Sequence, residues 1–150
     1  MSTGTVALLV AAILVLDLVI FLRVIRPQLR KRGEAARAAA RAGLEGATPL
    51  REGPARSFGE ESRGVGQVRG SGHLAVTDDA IVFAMAAPAR VLRIPRERVT
   101  AVGEARSFLG TAGARRVLRI DFLRDDGTPD AVAFDVGRDR DGWRAALGGA

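Results

Sequence analysis

The chain has 150 residues, no Cys and a single His, which excludes a disulfide framework, a thiolate metal site and a histidine-cluster metal site. Its formal charge is +6 and its pI about 11.4, but the excess is local. Residues 23–44 carry seven basic side chains and one acidic, whereas residues 45–150 carry 16 basic and 15 acidic; a near-neutral body is a poor trap for a phosphate backbone, so nucleic acid is not an expected partner.

Residues 1–4 form a short polar N-terminus. Thr5 to Leu22, TVALLVAAILVLDLVIFL, is apolar at nearly every position; as a helix it rises about 27 Å, close to the hydrocarbon thickness of a bilayer. The expectation is one transmembrane helix over residues 5–25. Arg23 and Arg26 follow directly, and flanking positive charge stays inside. This predicts a single-pass protein of the cell membrane, N-terminus outside and C-terminal domain cytoplasmic. The apolar core is long and lacks a basic n-region, so a cleaved secretory signal is not expected. Asp17 is the anomaly in the span, since a central carboxylate costs about 2.5–3.5 kcal/mol on insertion scales. It is a candidate intramembrane contact with another helix, a second copy of this chain included. The plainer reading is an acid tolerated among Leu, Val and Ile. Ala7 and Ala11 form a small-xxx-small pair that permits close helix approach.

Pro27 is expected to kink or restart the helix. Residues 26–44 are rich in Ala and Arg, which favour helix, and Arg30–Glu34 and Glu34–Arg37 have pairing spacings. With almost no large apolar face after Leu29, this segment reads as a solvated or membrane-surface stalk outside any core. Arg23, Arg26, Arg30, Lys31 and Arg32 are candidate membrane-surface residues, each worth about 1 kcal/mol against anionic lipid. Their plainer role is a topology signal. Residues 45–63 (EGATPLREGPARSFGEESR) have linker composition, flexible and unable to bury a core. Phe58 is the one aromatic there and a candidate pin onto the following domain.

A module is expected over residues 64–150. GHLAVT (72–77) and AIVFAMA (80–86) read as strands joined by an Asp78-Asp79 turn. RVLRIP (90–95), RVTAVG (98–103) and RVLRIDFL (116–123) follow. Asp125-Asp126-Gly127 is a hairpin signal, and AVAFDV (131–136) alternates apolar and polar. The last residues read as one short helix, capped by Asp139 or Asp141, with Trp143 and Leu147 on one face and Gly148 stopping it.

The order Gly72, Leu74, Thr77; Phe83; Ile94, Pro95, Val99; Leu118, Ile120; Gly127; Phe134; Trp143, Leu147 resembles the GRAM/PH-like domains, over roughly residues 64–150. The resemblance implies an all-β domain with a capping helix (α+β). That is a small antiparallel barrel or sandwich whose open end is plugged by the last helix through Trp143. It also implies a non-catalytic lipid- or protein-binding module. In lipid-binding PH members basic residues around the first inter-strand loop hold an inositol phosphate. This chain has Asp78 and Asp79 there, and two carboxylates repel a phosphate, so no lipid-binding residue is carried over.

No catalytic constellation, cofactor site or metal site is found. Gly64-Val-Gly66-Gln-Val-Arg-Gly70 has its third Gly one position late for a dinucleotide loop, and a strand follows where a helix is needed. The only Lys is Lys31, so a phosphate-binding loop is absent. His73 near Ser71 is not a relay, because neighbours on one strand point to opposite faces or lie too far apart for a hydrogen-bonded relay; it is expected at the surface. Arg90, Arg93, Arg96, Arg98, Arg115, Arg116 and Arg119 cluster in the module, and a solvated face neutralised by nearby acids is the plain expectation. Arg in place of Lys, with abundant Ala and Gly, suggests a high-GC bacterial source. The expected function is a membrane-anchored docking module for a protein or the membrane surface. The alternative is a small accessory subunit of a membrane complex assembled through Asp17, homo-oligomer included.

Overall fold

The computed structural model describes residues 3–148. Its first feature is a helical rod. Helix α1 (Thr3–Ile20) passes through a π-helical turn, Phe21–Ile25, into helix α2 (Arg26–Ala42). Pro27 explains the turn: it has no N–H for the carbonyl four residues back, and its ring crowds that carbonyl. The backbone widens instead, and the Arg26 N–H donates to the Phe21 carbonyl, five residues back. The expected kink or restart therefore takes the form of a widened turn within one helix. The helix from Gly4 to Ala42 has 39 residues, and none of its most apolar window is buried. It is long and apolar enough to be a membrane anchor or a signal sequence.

Seven strands follow: β1 (Arg51–Glu60), β2 (Gly70–Val76), β3 (Ala80–Ala86), β4 (Ala89–Pro95), β5 (Val99–Phe108), β6 (Thr111–Leu123) and β7 (Pro129–Asp135). They form one open antiparallel sheet in the order β4-β3-β2-β1-β7-β6-β5, with β4 and β5 as edges. Two meanders, β1–β4 and β5–β7, are thus joined by the β1–β7 pairing. The sheet does not stay flat. Phe83 on β3 and Phe134 on β7 have ring centroids 4.9 Å apart, yet β2 and β1 lie between their strands. Three strand spacings on a flat sheet would separate them by about 14 Å. The sheet therefore curls over a shared core of Leu74, Ile81, Phe83, Ile94, Ile120 and Phe134.

Helix α3 (Arg140–Ala146) closes this core. The Asp139 carboxylate caps it by accepting the Gly142 N–H. Trp143, only 4% exposed, and Leu147 enter the core cluster. Gly53 on β1 makes room, since a Cβ there would lie 3.3 Å from the indole. Arg51 lies over the same ring, 5.2 Å from its centroid, and pairs with Asp139.

The largest correction concerns residues 45–63. They are not a linker: Arg51–Glu60 is the strand that joins both halves of the sheet, pairing with β2 along Arg51–Ser57 and with β7 from Arg56. The sheet thus starts at Arg51, not Gly64. The breaker residues that suggested a linker each have a place. Pro54 lies before β7 joins, where the strand has a neighbour on one side only. Gly59, at φ +103°, sits where the β1–β7 register shifts. Phe58 does pack on the domain, from within β1, against the small cluster of Phe108, Val117, Ala131 and Ala133.

A chain that begins at Gly64 lacks the central strand and is expected to show no cooperative unfolding. A chain that begins at Arg26 is expected to unfold in one transition, followed by Trp143 fluorescence during urea titration.

Candidate functional site

The structure places the Ala- and Arg-rich segment on the sheet. Ala36, Ala40 and Leu44, spaced four apart on α2 and the turn after it, are buried. Ala40 and Leu44 pack with Ala75 of β2 and Ala80, Val82 and Ala84 of β3. The expected solvated stalk is thus corrected for its C-terminal half. The inference failed because it required large apolar residues on the helix. Here small meets small, and the backbones approach closely: a Cβ on Gly43 would stand 2.9 Å from Val82 Cγ1.

A polar clamp flanks this contact. The Glu52 Oε1 accepts from Arg37 Nη2 at 2.7 Å and from Arg41 Nη2 at 2.5 Å, and its Oε2 accepts from Arg41 Nε at 3.0 Å. Arg37 thus reaches Glu52 on β1, not the expected Glu34. The hydrogen bonds from Arg41 and then Arg37 pull the Glu52 carboxyl down to about 2. His73 on β2 belongs to the same face. It was expected at the surface but is 9% exposed. Its Nε2 is 3.5 Å from the Glu52 carboxylate, too long for a well-made hydrogen bond, and has no hydrogen-bond partner. Burial lowers the His73 pKa, and the neighbouring carboxylate opposes this only in part.

The basic residues of the helix therefore divide in two. Arg37 and Arg41 are committed to Glu52. Arg23, Arg26, Arg30, Lys31 and Arg32 are exposed and make no ion pair among the described residues. All five lie next to the apolar segment, and Arg32 also lines a cleft against Ser71 and Gly72 of the sheet.

Asp17 is exposed on α1. Leu8, Ala11, Ala12, Val15, Leu16 and Val19 line a shallow apolar groove on the same helix. Asp17 is nine positions after Leu8, which at 100° per residue is half a turn away. The carboxylate and the groove face opposite ways, so one partner helix cannot engage both.

The remaining candidates resolve into structure. Asp78 and Asp79 form an exposed turn held by Thr77, whose Oγ1 accepts the Asp79 and Ala80 N–H groups. At the β6–β7 turn the Asp126 carboxylate accepts from Thr128 Oγ1 at 2.6 Å and from its N–H at 3.0 Å, which lowers its pKa. Five of the clustered arginines meet acids: Arg90 with Glu60, Arg93 with Glu45, Arg98 with Asp125, Arg116 with Glu104, and Arg119 with Asp121. Arg96 donates to the Ala146 carbonyl. The Arg115 side chain lies outside the described residues. Among the described residues no group of three His, Asp or Glu side chains is placed to hold a metal ion.

No family model matches the chain, and no curated protein matches it. A solved structure is similar: the crystal structure of the C-terminal domain of an unknown protein from Leishmania infantum. It covers 76% of this chain and 96% of that chain, with a TM-score of 0.51 and 13% identity. At that identity the likeness shows the fold alone.

The clamp predicts an acid response. The folded Glu52 pKa, about 2, is below its ordinary 4.5, so its contribution is full above pH 4.5 and is lost as the pH falls toward 2. The lowered His73 pKa acts in the same direction at somewhat higher pH, because the unfolded chain takes up that proton first. Glu52→Gln is expected to cost about 1 kcal/mol at neutral pH, since water reaches both arginines. It is also expected to flatten the pH dependence between 4.5 and 2, measured as urea midpoints across pH.

Proposed function

We propose that this chain is a single-pass, membrane-anchored and non-catalytic PH-like module. It docks a protein or the membrane surface on the cytoplasmic side of the cell membrane. The observation that carries this reading is the shared helix: one unbroken rod supplies both the exposed apolar length and the helix packed on the sheet. An apolar rod that leaves a folded domain with its large side chains uncovered needs an apolar environment. The five unpaired cations at its base favour an anionic headgroup layer and the inside location of the domain. The PH-like reading is supported by the two consecutive meanders, by the terminal helix, and by Trp143 as the residue that closes the core.

A second reading has its own observation. Asp17 is exposed in the middle of the apolar rod and carries a desolvation cost that a partner helix would relieve. On this reading the chain is an accessory subunit assembled within the bilayer. Asp17→Leu is expected to abolish detergent-stable association if it holds and to leave association unchanged if the docking module stands alone.

The absence of native Cys makes topology directly testable. In intact cells an impermeant maleimide is expected to label Thr3→Cys, and to label Asp78→Cys only after permeabilisation. Labelling of Asp78→Cys from outside, or carbonate extraction of the chain from membranes, contradicts the proposal.

A further inference from the structure

Between the lower part of α2 and the near rim of the sheet is an open wedge with a volume of about 380 Å³. Leu29, Arg32 and Gly33 line one side, and Ser71, Gly72 and Ala86 are among those lining the other. Three features of it point to one occupant. The first is height: with the apolar stretch ending at Ile25, Leu29 and Gly33 stand about 6 and 12 Å further along the rod. A headgroup layer is about 5–8 Å thick, so the mouth of the wedge opens at its level. The second is chemistry. The lining is mostly apolar, with Arg32 and Ser71 as its polar side chains and no carboxylate. Leu29, the one large apolar residue of α2, is 55% exposed there. The third is the rim. The β3–β4 turn beside the wedge presents Ala87, Pro88 and Ala89, all exposed and uncharged, which a lipid surface accepts without desolvating a charge.

We infer that this wedge holds one anionic phospholipid, its phosphate on Arg32 and the upper end of its acyl region against Leu29. Arg32 is suited to this role because it has no acid partner among the described residues and its guanidinium can donate two N–H groups to one phosphate. The occupant is a lipid rather than a peptide because the lining joins one unpaired cation to a mostly apolar wall beside the apolar length of the rod. The inference rests on the membrane reading above.

The test uses the full chain in nanodiscs of mixed phosphatidylcholine and phosphatidylglycerol, released for native mass spectrometry. The wild type is expected to retain one phosphatidylglycerol. Arg32→Gln removes the anion contact. Gly33→Phe fills the wedge, and it fits because a Cβ at Gly33 meets nothing within 4 Å. Each variant is expected to lower the retained fraction at least fivefold, with Trp143 emission unchanged, while Asp78→Asn leaves retention as in the wild type. Equal retention by wild type and both variants overturns the inference, as does equal retention of phosphatidylcholine. A photo-crosslinker at Ala87 that captures protein in place of lipid also overturns it. Flotation with liposomes separates the two levels: if the chain floats but no lipid is retained in the wedge, only this inference falls. If it does not float, the membrane reading falls with it.

Discussion

Everything in this structure depends on the contact between α2 and the outer face of β2 and β3. Most of it is alanine, Ala36 and Ala40 on the helix and Ala75, Ala80 and Ala84 on the sheet, with Leu44 and Val82 as its larger members. Alanine buries little area, so each residue contributes modestly to hydrophobic stabilisation. It also loses no side-chain entropy on packing, and it lets helix and sheet backbones come close enough for many weak contacts to add. Glu52, with Arg37 and Arg41, then fixes where along its axis the helix sits. Apolar closeness gives the attraction, and the ion pairs give the register.

That contact accounts for the composition of β3. Every residue from Ala80 to Met85 is buried, which one covered face cannot achieve. Ile81, Phe83 and Met85 enter the main core, and Ala80, Val82 and Ala84 meet the helix. The other half of the sheet solves the same problem differently. There Ala131 and Ala133 of β7 and Val117 of β6 are covered by Phe108 from β5 and by Phe58. Arg119 stands over the Phe108 ring at 5.5 Å and is held by Asp121 and Glu61. The helix covers the outer face on one side, and the long β5–β6 hairpin supplies the cover on the other.

How much of this was legible in the sequence follows from which rule each residue obeys. Strands β2, β3, β4 and β7, the first half of β5 and the second half of β6 were legible because their apolar residues have strand length and are bounded by turn residues. The terminal helix was legible from its Asp cap and the Trp143–Leu147 spacing. Strand β1 was not: Gly53, Pro54 and Gly59 are strand breakers by composition, and their reasons are tertiary, namely an indole, a one-sided stretch and a bulge. The docking of α2 was hidden for the same cause, since an alanine face has no amphipathic signal of its own. One clue was present. AIVFAMA is apolar on both faces, so something had to cover the second, and the Ala-rich helix was available. Reading residues 45–63 as linker also hid Glu52, and with it the partner of Arg37 and Arg41 and the burial of His73. Of the candidate site, the five basic residues beside the apolar segment were legible as unpaired charge, whereas the wedge at Arg32 arises only once the helix lies on the sheet.

A rigid joint has a functional consequence that a flexible linker would not. A domain on a flexible tether searches a volume and meets partners in any orientation, with an effective concentration set by tether length. Here the rod enters the domain as one of its own packed helices. The height of the sheet above the apolar segment is therefore set by helical rise, and its rotation by the positions of Ala36, Ala40 and Glu52. Within the proposed membrane setting, a surface on this domain presents at one height and one angle. Recognition then requires the partner, lipid or protein, to be arranged to that geometry, and the ordering cost was met when the domain folded. Among the described residues the unpaired cations Arg23 to Arg32 lie on the rod below the sheet, while the arginines of the sheet that meet acids lie above them. The five cations beside the apolar length favour seating the base of the domain against an anionic surface.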